Sequence, residues 1–365
     1  MVPPYGSFSP FCSSPSGASD QGDVSISTAG PLPHCNLFFR SLLKVTSPPA
    51  LTTLFPFRDV TGLGNGRPLG PITTETSVED LVATRAINRA GTGVGLRCDV
   101  GRLGQEGSLG DIAQLITSIF CFLIVSFLIF RTIRRRAAVG RIEILYFFLL
   151  FALTLPLRIL TTANVLEQGS AALAVISAIH VALNVGMMWI LLGNAIVATQ
   201  VVPDGTPTSI IPMSLIFLVL FGFTVYIALD QAFGISRWFM LTSGRAEVGQ
   251  LRNIALWTLS ILWPYLASIV YLAIMLYVVY YHLEETRPCF WFILSFLLFA
   301  ASQAVLFLAS QPLCEASNGK VTSGFLSTLL ETAAVAMLFA AWSSITEAEW
   351  DEPIYMEEYN SGYKY

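Results

Sequence analysis

The chain has 365 residues, of which 54% are hydrophobic and only 12% charged, with a formal net charge of -4, and its mean hydropathy is +0.65. That composition lies outside the range of ordinary soluble domains and belongs with multi-span membrane proteins. The small net charge, with basic residues gathered at the edges of apolar runs, excludes a nucleic-acid partner.

Residues 1 to 110 are rich in Ser, Pro, Gly and Thr and hold no apolar run long enough to cross a bilayer. They carry no cleavable signal-peptide pattern, so the first apolar run is expected to serve as the targeting signal. They are also too poor in apolar residues for a large core of their own. A bilayer core about 30 Å thick needs roughly 20 apolar residues at ~1.5 Å each. Seven segments meet that length: 111 to 130, 143 to 163, 171 to 197, 210 to 229, 254 to 280, 289 to 309 and 324 to 342. None alternates as a barrel strand does, and backbone amides in lipid must be satisfied within their own segment. The expected fold is therefore all-α: a membrane domain of seven transmembrane helices over 111 to 342, preceded by the Ser/Pro/Gly-rich region and followed by a short tail, 343 to 365.

The first span, 111 to 130, holds Asp111 as its only charge, and five arginines follow within eleven positions: Arg131, Arg134, Arg135, Arg136 and Arg141. Arginine beside a span is retained on the cytosolic side. This dense loop sets the expected topology, with the amino terminus lumenal and the tail cytosolic. Loops on the opposite side carry Arg237, Arg245, Arg252 and Lys320, spread thinly. Glu106 and Asp111 before the first span add to the asymmetry. Pro156 and Pro264 are expected to kink the second and fifth spans, and Trp238 and Tyr281 to anchor span ends at the interface. The segment "VVPDGTPT" (201 to 208) reads as a turn around Asp204-Gly205.

In this topology Cys12, Cys35, Cys98 and Cys314 all lie on the lumenal side, while Cys121 and Cys289 fall in or at the edge of spans. Four thiols on the oxidising side are candidates for a disulfide framework, with three pairings open; four unpaired thiols are the alternative. The spacings lack a C-x-x-C pair, which argues against zinc. There is no N-x-[ST] sequon.

Ionisable and amide side chains at membrane depth cost roughly 2.5 to 3.5 kcal/mol when charged, so each needs a partner or a purpose. Arg158 in span two, His180 in span three, Gln303 in span six and Glu331 in span seven fall at one depth, in the lumenal half. They are expected to form a polar cluster with Arg158 and Glu331 as its ion pair, extended by Asn184 one turn from His180. Packing adhesive between helices, a ligand or proton pathway, and recognition of a client helix are the three uses open to it.

No P-loop, HExxH, GxSxG or dinucleotide fingerprint occurs, and none of the three histidines is spaced for a metal. An enzyme, a cofactor and a metal are therefore not expected. The tail "SSITEAEWDEPIYMEEYNSGYKY" carries six acidic residues against one lysine. It reads either as a solvated acidic segment or, through Glu347, Glu349, Asp351 and Glu352, as a di-acidic export signal read by vesicle-coat proteins.

Several strings together resemble one family, the fungal chitin synthase export chaperones: "YGSFSPFC" and "LPHC", "LRCDVGRLG", "RRAAVGRIEILYFF", "PDGT" and "SQAVLFLASQPLCE", in this order along the chain. The resemblance covers about residues 5 to 40 and 94 to 347, leaving 41 to 93 as a variable lumenal insertion. It implies a multi-pass protein of the endoplasmic-reticulum membrane that helps a chitin synthase fold, assemble and leave for the cell surface, supporting chitin deposition in the cell wall. The client would be the synthase subunit, met within the lipid bilayer. A seven-span receptor and a small-molecule transporter are the competing readings. The short third cytosolic loop counts against the receptor, and the lack of paired interrupted spans counts against the transporter.

Overall fold

A computed structural model describes residues 5–12, 32–45, 103, 109–135, 140–166, 169–236, 238–239, 251–309, 312–313, 316–317 and 320–347. Among these, seven helices are long and apolar enough to cross a membrane: Ile112–Arg134, Arg141–Thr162, Ala171–Ala198, Pro207–Phe233, Ile254–His282, Arg287–Leu308 and Gly324–Glu347. The only β pairing among the described residues is an isolated bridge between Ser7 and Arg252.

The helix starts are written in local chemistry. Asp111 caps the first span by accepting from the Gln114 amide at 3.0 Å, Ser170 caps the third through Leu173, and Asn253 caps the fifth through Leu256. Pro207 and Pro288 sit in the first turn of the fourth and sixth spans, where a missing N–H removes nothing. Gly234 ends the fourth span in the left-handed conformation, φ 61°.

Span ends differ from the sequence expectation in one informative way. The first helix continues through Arg131 and Arg134 before ending. Arginines near a helix carboxyl terminus complement its partial negative charge, so the first basic residues extend the helix instead of breaking it. Pro156 lies inside the second span. Ahead of Pro264 the fifth span widens into a π turn, Thr258–Leu262, and a second π turn, Val278–His282, closes it. A proline both lacks a donor and crowds the preceding turn, and a wider turn is one way to absorb that.

The third span is the centre of the bundle: 67% of its most apolar stretch is buried, against 11% for the sixth. The second, fourth and fifth spans all pack on it. The first, second, third, fifth, sixth and seventh spans follow one another around an interior cavity, with the fourth set outside the third. Close approach of the third and fourth spans depends on two glycines. A Cβ at Gly186 would lie 2.5 Å from the Phe217 ring, and one at Gly193 would lie 2.5 Å from the Met213 sulfur. Small residues at such crossings are how helices associate where lipid removes any hydrophobic drive.

The amino-terminal region does more than composition suggests. Residues 33–45 form a helix, "PHCNLFFRSLLKV", packed on the third and fourth spans. Phe8, Leu37 and Phe38 are fully buried with Ala178, Ile227 and Leu256. The described residues of this region are buried against the apolar ends of the spans. It is tied down by backbone bonds from Phe8 N–H to Leu251 C=O (2.6 Å) and from Asn253 N–H to Gly6 C=O (2.9 Å). Cys12 and Cys35 join as a disulfide between its two parts.

Candidate functional site

The interior cavity of about 210 Å³ lies among the spans and beneath the 33–45 helix, and polar residues from every span but the fourth line it. Arg158 Nη2 donates to Glu331 Oε2 at 2.6 Å, with both side chains nearly buried. Gln303 Nε2 donates to the other oxygen of Glu331 at 3.0 Å. Arg158 Nη1 and Gln114 Nε2 both donate to the Thr328 hydroxyl, at 3.0 and 3.1 Å. That hydroxyl passes its own proton to the Gly324 carbonyl. Spans one, two, six and seven are thereby joined at one level.

A second branch leads to the third span. His180 Nδ1 lies 2.9 Å from the Thr161 hydroxyl, and Asn36 of the amino-terminal helix donates to the Thr161 carbonyl and the Ser177 hydroxyl, each at 3.1 Å. Asn184 lines the same cavity. His34 also lines it and stacks on Phe8, ring centroids 5.3 Å apart. Burial alone pulls the His34 imidazole down from 6.5 to about 4, so at neutral pH it is uncharged. The ring of Tyr271 and those of Phe292 and Phe299 supply apolar wall.

Gln114, Thr328, His34 and Asn36 were not singled out from the sequence. Gln114 and Thr328 carry a readable signal, since a polar side chain inside an apolar run asks for a partner across a helix interface. His34 and Asn36 carry none, because nothing in a Ser/Pro-rich region announces that it folds back over the bundle.

At the opposite end of the bundle the arginine loop is built into a clasp. Glu143, fully buried, accepts from the Gly205 amide at 2.9 Å and the Ser209 hydroxyl at 2.8 Å. Asp204 answers by accepting from the Gly140 amide at 3.0 Å. Gly140 takes φ 65°, a left-handed conformation that disfavours side chains. The turn "PDGT" is therefore the partner of "GRIE", locking the second span to the fourth. Arg135 Nη1 donates to the Ser343 carbonyl at 3.1 Å, and Arg134 lies over the Phe130 ring at 4.4 Å. Arg131 is exposed and Arg141 half-buried.

Cys98, Cys314, Arg136, Glu349, Asp351, Glu352 and the insertion 41 to 93, beyond its first five residues, fall outside the described residues, as does the side chain of Glu347. Trp238 and Tyr281 are exposed at span ends. No group of three or more metal-ligating side chains comes together among the described residues.

Comparison with known proteins gives a consistent result. A family model described as chitin synthase export chaperone matches residues 24–356. The chain is 28% identical to a chitin synthase export chaperone of Chaetomium globosum over 302 residues, covering 80% of this chain and 83% of the relative. It is 24% identical to that of Neurospora crassa, covering 72% of each chain, and 25% identical to that of Fusarium oxysporum, covering 65% of this chain and 68% of the relative. No solved structure matches.

Proposed function

This chain belongs to the chitin synthase export chaperone family, and we propose from that premise how its bundle serves a client in the membrane. It is a multi-pass membrane chaperone for a chitin synthase leaving the endoplasmic reticulum. A nascent polytopic client exposes helix faces that have no partner until assembly is complete. A second bundle can cover them by binding the unassembled state more tightly than the finished one, and no bond need be made or broken. The proposed orientation puts the amino terminus in the lumen and the arginine loop in the cytosol, in keeping with the Cys12–Cys35 disulfide, which needs an oxidising compartment.

One observation carries the mechanism: Arg158, Glu331 and Gln303 are turned inward and bonded to one another, while the sixth span is the least buried of the seven. Glu331 and Gln303 fix the sixth span against the seventh, so its outward face, with Phe290, Ile293 and Leu297 exposed, is presented in one position. That face is the proposed client surface, and the polar cluster is what holds it in place. The acidic tail, through Glu347, Glu349, Asp351 and Glu352, is the proposed contact for vesicle-coat proteins.

The test is the location of the synthase. Cells carrying Arg158→Leu or Glu331→Leu are expected to hold a fluorescent synthase in the reticulum, and a Phe290→Ser/Leu297→Ser variant is expected to do so while keeping normal chaperone abundance. Normal arrival of the synthase at the cell periphery in the face variant would remove the sixth span from the mechanism.

A further inference from the structure

The polar wall of the cavity is unbalanced. Its charges cancel, Arg158 against Glu331, but several of its remaining atoms have no hydrogen-bond partner among the described residues: Nε2 of His180, Oε1 of Gln114, and both ring nitrogens of His34. All three residues are more than nine-tenths buried and line the cavity. Leaving a buried polar atom unbonded costs about 1 to 3 kcal/mol, so three such side chains around one space point to something that bonds them.

The chemistry of those atoms is readable. The Thr161 hydroxyl gives its proton to the Leu157 carbonyl at 2.9 Å, so at its contact with His180 it accepts, and Nδ1 of His180 carries the hydrogen. Nε2 is then a bare lone pair. A doubly protonated imidazole at this depth, beside Arg158, would add an uncompensated cation to a low-dielectric interior. Oε1 of Gln114 is likewise an acceptor, its Nε2 being spent on Ser118 and Thr328. Neutral His34 keeps one ring N–H, so these unbonded atoms comprise three acceptors and one donor, and the cavity is short of donors. A carboxylate or phosphate would set oxygen against oxygen.

The remainder of the wall is aromatic and aliphatic, and it is contributed on one side by the fifth and sixth spans. Those two spans touch each other sparsely, in contrast to the tight sixth–seventh contact. Their outer faces, including Leu266, Ile269, Ile293 and Leu297, are exposed and apolar. A molecule entering between them comes from the bilayer, not from water. The volume, about 210 Å³, exceeds the roughly 150 Å³ of an apolar cavity that takes up benzene and is smaller than a whole lipid, so it holds the hydroxyl end while the rest of the molecule extends between the two spans.

We infer that this cavity binds a neutral, hydroxyl-bearing lipid, its O–H donated to His180 Nε2 and its apolar body lying along Tyr271, Phe292 and Phe299 toward the join of the fifth and sixth spans. Two sources share that chemistry, a sterol and a diacylglycerol. The site is independent of the client reading, since it is formed by this chain alone.

The experiment uses the full-length protein in phosphatidylcholine nanodiscs with three photoreactive probes: a sterol, a diacylglycerol and a fatty acid. The result expected is saturable labelling of fifth- and sixth-span peptides by the sterol or the diacylglycerol, displaced by the same unlabelled lipid. Whichever probe labels names the source. The fatty acid labels only outward positions, without saturation. The O-methyl ether of the labelling probe, which lacks the donor, competes about tenfold more weakly against unaltered protein. His180→Phe loses the labelling, and so does Leu272→Trp, which fills the wall without touching the polar end. Non-saturable labelling by both neutral lipids, equal competition by the ether, or equal cavity labelling by the fatty acid each overturns the assignment.

Discussion

Replacing Glu331 by leucine strips Arg158 of its counter-charge in a place that water reaches poorly. The pair is in direct contact at 2.6 Å, with 15% and 10% of the two side chains exposed. Two unit charges about 4 Å apart attract by about 4 kcal/mol at an effective dielectric constant of 20. Breaking a buried pair from one side costs a similar 3 to 5 kcal/mol or so, because the remaining charge is left behind. Gln303 Nε2 and Ser327 lose an acceptor at the same time. A loss of about 4 kcal/mol lowers the folded-to-unfolded ratio by roughly a thousandfold, enough to destabilise the purified protein markedly and to deplete it in cells. The decisive comparison is with Arg158→Met/Glu331→Met, which removes both charges. If desolvated charge is the cause, the double variant recovers most of the loss, since replacing a whole buried pair by apolar side chains is often neutral. Thermal unfolding in detergent and steady-state abundance are the two readouts. A Glu331→Leu protein as stable as the parent, or a double variant as damaged as the single, refutes the reasoning.

Three further outcomes follow from the fold. Gly186→Ala pushes a Cβ to 2.5 Å from the Phe217 ring, so it is expected to destabilise by about 1 to 3 kcal/mol, and a Gly186→Ala/Phe217→Leu double variant to recover stability in the same melt. Cys12→Ser or added reductant opens a cross-link of sequence separation 23, with an expected loss of about 3 kcal/mol, and Cys35 then becomes reactive to maleimide once the protein unfolds. The folded His34 sits at about 4 and the free side chain at 6.5. Its contribution is therefore complete above pH 6.5 and is lost as pH falls toward 4, by roughly 3 kcal/mol. Melts at pH 7.5 and 4.5 are expected to show a fall for the parent that is reduced in His34→Phe, and an identical slope in both would remove His34 as the source.

Membrane helices were legible because the bilayer imposes their length, and each apolar run is long enough to carry the signal by itself. Arg158, Gln303 and Glu331 could be placed at one depth by counting residues at a fixed rise, and the helices bring all three within hydrogen-bond reach. What counting could not supply was azimuth. Nothing in the linear pattern says that Thr328 stands between Gln114 and Arg158, or that Glu143 reaches across to Gly205, since those pairings depend on how each helix is rotated. The amino-terminal segment was the larger omission. Phe8 stands among Ser and Pro and Phe38 in an apolar run too short to cross a bilayer, and only the apolar ends of spans made far later in the chain turn them into core.

That arrangement orders events during synthesis. Phe8 bonds to Leu251 and Tyr5 to Thr258, so residues 5–12 cannot take their seats until four of the seven helices and the start of the fifth have been made. Tyr5 and its partner lie 253 positions apart, so this cover docks long after it is translated. A chain cut short before Leu251 leaves Phe8 without the backbone partner that seats it.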